Sequence, residues 1–114
     1  MDKHILQKRL KEFAHRCVKM TDSLPKTTLG KYFNNQLTRS AFSAAANYRA
    51  ACIAQSKAAF VAKLSIAFEE IDESSFWIEN IKDLELVKKE RIEDLYNESI
   101  ALSKILAASR KKAQ

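Results

Sequence analysis

Turn-forming residues are scarce in this sequence, which has one glycine and one proline in 114 residues. The residues that favour helices, namely Ala, Leu, Lys, Glu, Arg and Gln, are plentiful, so the composition predicts an all-α fold over one built from strands and tight turns. No apolar run approaches the roughly 20 residues that cross a bilayer. The charged N-terminus lacks the pattern of a signal peptide. We therefore expect a cytoplasmic, all-α protein without membrane contact.

Residue patterns that carry chemistry are also scarce. Cys17 and Cys52 have no CxxC motif or closely spaced histidine pair beside them, which favours a reduced, buried pair over a zinc or redox site. His4 and His15 lack a neighbouring Glu-x-x-His motif and are predicted to be surface residues. The single glycine leaves no phosphate-cradling loop, and no nucleophile lies beside a base. We expect no enzyme activity, no cofactor and no metal site.

The apolar residues, 46% of the chain, are sufficient for one hydrophobic core, so residues 1–114 are predicted to form one domain. Pro25 disfavours helix at the residue before it, while Thr27 and Ser56 are good residues to begin a helix. The periodic apolar positions then predict four helices, at about 2–22, 28–54, 57–82 and 88–110. With such short loops the simplest packing is an antiparallel up-down-up-down four-helix bundle.

Apolar residues that recur every three or four positions define the predicted core face of each helix. In the first and fourth helices they are Leu6, Leu10, Phe13, Ala14, Cys17 and Thr21, and Ile92, Leu95, Ser99, Leu102 and Leu106. In the second and third helices they are Leu29, Phe33, Leu37, Ala41, Ala44, Tyr48 and Cys52, and Phe60, Leu64, Ala67, Phe68, Ile71, Ser75 and Ile78.

The second and third helices also carry apolar residues away from their core faces. These residues are Phe42, Ala46, Ile53, Ile66, Phe76 and Trp77. A helix that is apolar on two sides is normally covered on both, and a chain of this size is too small to cover them itself. The second apolar surface therefore predicts homo-oligomerisation.

Charge is distributed unevenly along the chain. Residues 1–65 carry 12 Lys/Arg and 3 Asp/Glu, whereas residues 66–87 carry 1 and 7. Opposite charges confined to different segments can pair between subunits, and we predict that Arg39 or Arg49 meets Asp72 or Glu73 of a neighbour. A polar stripe beside them is predicted to form a hydrogen-bonding seam within or between subunits. Its residues are Gln36, Arg39, Ser43 and Asn47.

Basic residues also line the outward face of the first helix. They are Lys8, Lys11 and Lys19, flanked by Arg9 and Arg16. Two interpretations stay open, because most basic helix faces are simply solvated whereas some contact nucleic-acid phosphates. No motif of a sequence-specific RNA-binding module accompanies these residues, so any binding to RNA or DNA is expected to be weakly specific.

The middle of the chain contains a distinctive set of motifs. They are Leu24-Pro25, Gln36-x-x-Arg39-Ser40-x-x-Ser43, Asn47-Tyr48-Arg49-Ala50-Ala51, Phe60, Leu64, Ile66-Ala67 and Glu73. Through them the chain resembles the 23S ribosomal RNA intervening-sequence proteins, also called four-helix bundle proteins. It departs from their common pattern in having Ala50-Ala51 for Glu-Gly, and Ser75 for a second carboxylate after Glu73.

This resemblance implies a four-helix subunit that forms a ring-shaped homopentamer, in a family without assigned enzymatic activity. The chain is also similar to the accessory protein of diversity-generating retroelements, which implies reverse transcriptase and nucleic acid as partners. Two function classes remain. One is an accessory factor that associates with RNA, DNA or a nucleic-acid enzyme, and the other is a purely structural or protein-interaction oligomer.

Overall fold

Helices account for nearly the whole chain, because almost nothing in the sequence interrupts them. In a computed structural model that describes residues 1–114, α1 spans Lys3–Thr21, α2 Thr28–Cys52, α3 Lys57–Asp83 and α4 Lys89–Ala113. Consecutive helices pack side by side, α4 also packs against α1, and the diagonal pairs do not meet. The prediction of an all-α, up-down-up-down four-helix bundle is confirmed. The bundle extends over 44 × 22 × 19 Å.

Side-chain caps begin three of the four helices. An Asp2 carboxylate oxygen accepts hydrogen bonds from two backbone N–H groups of α1, at 2.6 and 3.3 Å. Thr27 and Ser56 each accept one through their hydroxyl oxygens, at 3.1 Å, at the starts of α2 and α3. Both are the residues that the sequence indicated, because a side-chain oxygen there satisfies a backbone donor that has no partner within the helix. Lys88 begins α4 without a side-chain cap.

The core contains every predicted inward residue of α1 and α4, whereas four predicted core residues of α2 and α3 lie elsewhere. Leu29 is 45% exposed, because it lies in the first turn of α2, where Gly30 takes the inward position. Cys52, Phe60 and Phe68 are half-buried at the edge of the core. These residues lie near helix ends or on flanks, where apolar periodicity alone does not decide which side faces inward.

Polar side chains join three of the four neighbouring helix pairs. Buried Ser40 and Ser74 share a hydrogen bond of 2.8 Å between α2 and α3. Lys82 Nζ lies 3.2 Å from Glu93 Oε1 between α3 and α4. These contacts show which residues of neighbouring helices lie at the same height along the bundle axis.

Gly30 is required by the close approach of the chain before α2. A Cβ added there would lie 2.0 Å from the carbonyl oxygen of Pro25, which is backbone and cannot easily move. Although alanine is the better helix former, we expect Gly30→Ala to lower the free energy of unfolding by about 1–3 kcal/mol through overpacking. Urea unfolding at one subunit concentration measures this change. Lys31→Ala on the exposed side of α2 is the control, and an equal effect of both variants would contradict the steric explanation.

The two cysteines differ in accessibility. Cys17 is fully buried, and this burial raises the pKa of its thiol far above the ordinary value, whereas Cys52 is half-buried. Because the thiolate is the reactive form, we expect a thiol reagent at pH 8 to leave Cys17 unmodified in the folded protein and to modify it in urea. Mass spectrometry of the Cys52→Ser variant isolates Cys17. Stoichiometric labelling of that variant under native conditions would show the prediction to be wrong.

Candidate functional site

An open groove of about 520 Å³ runs between α1 and α2. Its α2 wall includes Ala45 and Ala46, whose short side chains leave space between the helices. The groove brings together residues that the sequence assigned to two different surfaces, the basic face of α1 and the apolar interface of α2. Its principal lining residues are Lys8, Lys11, His15, Phe42, Ala46 and Arg49.

The groove combines an apolar floor with a basic rim. Phe42 is 41% exposed, and its ring lies 6.0 Å from the His15 ring, measured between centroids. Lys11 and Arg49 form no ion pair within the chain, and exposed Lys8 makes only a 3.9 Å contact with Glu12. An exposed aromatic side chain beside unpaired cations suits a partner that is both apolar and acidic.

The groove belongs to a longer exposed stripe on α2. Its residues alternate by three and four positions, which is the 3.5-residue spacing of a coiled-coil seam. They are Tyr32, Asn35, Arg39, Phe42, Ala46, Arg49 and Ile53, and all are exposed. Such a row of helix residues normally lies against another helix, but within this chain it faces solvent.

The outward face of α3 carries acidic and apolar residues together. We call it the acidic stripe and define it as Ile66, Glu69, Asp72, Phe76 and Glu79, all exposed. Ile66 and Phe76 are 39% and 54% exposed. Its three carboxylates make no ion pair within the chain. The acidic stripe therefore has the same mixture as the groove, with charge of the opposite sign.

Two residues predicted to pair between subunits pair inside one subunit. Arg39 donates a hydrogen bond of 2.8 Å from Nη1 to Glu70, and another from Nη2 to Glu73. The antiparallel register of α2 and α3 places these side chains opposite each other, so Arg39 and Glu73 have partners within the subunit, and their role between subunits stays a prediction. Arg49 and Asp72 remain without an ion-pair partner.

Trp77 and Asn47 were also predicted at the subunit interface, and the structure gives both an internal role. Trp77 is half-buried and packs in edge-to-face contacts with Tyr32, Phe33 and Phe76, at centroid distances of 5.7, 5.9 and 5.1 Å. Its Nε1 has no hydrogen-bond acceptor. Asn47 donates to the backbone oxygen of Ser43 at 2.9 Å, within α2. Trp77 therefore supports the exposed Phe76 from behind.

The basic residues of α1 do not form one continuous surface. Lys8 and Lys11 line the groove, whereas Arg9 makes a two-bond ion pair with Glu98 of α4, at 2.7 and 2.8 Å. These bonds raise the pKa of Arg9 and occupy its guanidinium. Arg16 and Lys19 lie beside the acidic residues Glu90 and Asp94, in a recess between α1 and α4. The predicted phosphate-binding face is thus divided among three environments.

The structure has neither a metal-binding cluster nor a membrane-spanning helix. No group of three or more His, Cys, Asp or Glu side chains is placed to hold a metal ion. None of the four helices combines the length and the apolar character that crossing a membrane requires.

Comparison with known proteins identifies the family. The model of the 23S rRNA-intervening sequence proteins matches residues 2–108. The chain belongs to this family. The match confirms the resemblance carried by the motifs of α2 and α3, and it extends over all four helices.

A solved crystal structure has the same fold. It is the crystal structure of a protein of unknown function from the S23 ribosomal protein family of Bacteroides thetaiotaomicron VPI-5482. The two chains are 32% identical and superpose with a TM-score of 0.86, over 97% of this chain and 99% of that one. No curated protein matches the sequence. Membership of the 23S rRNA-intervening sequence family thus agrees with the four-helix fold, and the features that bear on function are the α1/α2 groove and the acidic stripe.

Proposed function

We propose that the protein is a non-enzymatic subunit of a homo-oligomeric ring, and that the ring is an accessory scaffold for nucleic acid. In this assembly the α1/α2 groove of one copy receives the acidic stripe on α3 of the next. The observation that carries the proposal is the complementarity of the two surfaces, since each pairs exposed aromatic or aliphatic side chains with unpaired charges of opposite sign.

The two surfaces lie on different helices, which suits a ring of head-to-tail contacts. The groove lies between α1 and α2, whereas the acidic stripe lies on α3, so the interface joins different patches on the two copies. Such a head-to-tail interface leaves one free groove and one free stripe in any open chain, and a closed ring fills both. The family resemblance implies five copies.

Apolar contacts would supply most of the binding free energy. Burying a large side chain such as Phe42, Ile66 or Phe76 contributes about 1.5–3 kcal/mol for full burial, and each is partly exposed in the single subunit. Charges such as Arg49 and Asp72 would contribute mainly orientation and specificity.

The association with nucleic acid is supported by the charge of the protein. The formal net charge is +6, and a ring repeats that charge around its axis. Repetition converts weak phosphate contacts of one subunit into a larger combined affinity for a polyanion. A purely structural oligomer would show assembly without this binding.

Light scattering coupled to size exclusion tests the assembly. At micromolar concentration we expect a mass near five times the 13.0 kDa of one chain. Phe42→Gln should shift the mass toward the monomer, because it puts a polar amide in the apolar centre of the interface. Ile5→Gln, which changes an exposed apolar residue on α1 outside the groove, is the matched control. A wild-type mass of one chain would rule out the ring.

A further inference from the structure

The bundle is electrically polarised along its length. Because consecutive helices are antiparallel, the start of α1, the end of α2, the start of α3 and the end of α4 share one end. The half of the bundle at this end, residues 1–12, 41–70 and 101–114, has 11 Lys/Arg and 4 Asp/Glu, a net charge of +7. The other half, residues 13–40 and 71–100, has 9 and 10, a net charge of −1.

Several exposed lysines of the positive half form no ion pair, and four of them lie on the first turn of α3 and the last turns of α4. We call them the basic end and define it as Lys57, Lys104, Lys111 and Lys112, which are exposed and form no ion pair. After Glu98 the chain has no further acidic residue, so no carboxylate of the last turns of α4 screens them. They lie on the start of α3 and the last turns of α4, away from the α1/α2 groove.

We propose that the basic end is the surface that binds nucleic acid, by contacting backbone phosphates without reading bases. This inference rests on the proposed ring, because rotation about the ring axis places every basic end on one circle. Lys104 and Lys111 are two helical turns apart on α4, about 10.5 Å at 1.5 Å per residue, which spreads the charge along the bundle. The result is a repeated band of cations around the assembly.

The dimensions of the subunit favour a long polyanion over a small one. Across its axis the bundle measures 22 × 19 Å, so the axes of adjacent bundles in a ring lie about 20 Å apart, or about six base pairs at 3.4 Å each. A nucleic acid longer than this can bridge two or more subunits, whereas an isolated phosphate or a nucleotide contacts one. Phe68, whose ring lies 4.6 Å from the Arg110 guanidinium in this half of the bundle, is half-buried, which favours phosphate contacts over base stacking.

A pair of charge-matched variants tests the location of the site. One variant changes Lys57, Lys104, Lys111 and Lys112 to Gln, and the control changes Lys26, Lys31, Lys88 and Lys89 at the other end to Gln. All eight lysines are exposed and unpaired, so both variants lose four charges per subunit. Fluorescence anisotropy with an 8-bp and a 24-bp DNA duplex of mixed sequence, over a series of salt concentrations, gives affinity and salt slope. Circular dichroism and light scattering verify that both variants keep their fold and mass.

We expect the basic-end variant to bind the 24-bp duplex at least tenfold more weakly at low salt, with a clearly shallower salt slope, while the control loses less than threefold. In the wild type, the 24-bp duplex should bind at least tenfold more tightly than the 8-bp duplex, more than the roughly threefold increase that its length provides. Equal losses in both variants would overturn the proposal, as would an absence of wild-type binding or binding only to anionic lipid vesicles. If the wild type is monomeric and only the basic-end variant loses DNA binding, the proposed ring is refuted while the location of the nucleic-acid site is supported.

Discussion

Phe13→Ala is expected to lower the free energy of unfolding by about 3–5 kcal/mol, a large part of the 5–15 kcal/mol that holds a typical domain together. Phe13 is among the largest fully buried side chains, and it lies in the middle of α1. The loss combines the transfer of the ring to water with the cavity that remains. Thermal unfolding should shift downward by more than about 10 °C.

Phe42→Ala is the matched control for this prediction. It removes the same ring from a position that is 41% exposed, where the subunit loses less buried area than at Phe13. Both variants must be compared at one subunit concentration, since assembly adds to apparent stability by mass action. We expect Phe42→Ala to change the oligomer mass and Phe13→Ala to change the unfolding midpoint at constant denaturant slope. A small effect of Phe13→Ala would mean that the site repacks.

The sequence predicted α1 and α4 more accurately than α2 and α3, for a physical reason. On α1 and α4 most outward positions are charged or polar, so the apolar periodicity indicated one face for the core. On α2 and α3 apolar residues occur on several sides, and the periodicity did not distinguish a core position from an interface position. Leu29 is the clearest case, because its spacing suits the core stripe but its place in the first turn exposes it.

The sequence indicated several residues of the candidate site, but it did not indicate which ion pairs form within the chain. Phe42 and Arg49 were assigned to an interface by their position on α2. That Arg39 meets Glu70 and Glu73 of its own chain depends on the register between two helices, which the sequence does not encode locally. The pair of Arg9 with Glu98 joins residues 89 positions apart and likewise had no local signal. The exposed spacing of three and four along α2 was present in the sequence and points directly to the groove.

A charge exchange between Arg49 and Asp72 is expected to have the largest effect on assembly. Arg49→Glu puts a carboxylate in the groove opposite an acidic stripe, and Asp72→Arg puts a cation on the stripe opposite a basic groove. Like charges brought together at an interface cost several kcal/mol, and the cost recurs at every contact of a ring. Each single variant should therefore shift the mass measured by light scattering toward the monomer. The control pair, Lys31→Glu and Asp22→Arg, makes the same charge changes outside both surfaces and should leave the mass unchanged.

Combining the two substitutions in one chain should restore assembly, because every groove then carries the introduced carboxylate and every stripe the introduced guanidinium, and the contacts are complementary again. A mixture of the two single variants can also form complementary contacts, because a contact between the two different chains pairs a carboxylate with a guanidinium. Every contact is of this kind only when the two chains alternate. Alternation closes in a two-fold dimer or an even-numbered ring, whereas a five-membered ring always keeps one contact between like chains. We therefore expect the double variant to recover the wild-type mass, and the mixture to form open or even-numbered assemblies. Recovery of the same odd-numbered ring by the mixture, or no recovery in the double variant, would show that these two residues do not meet.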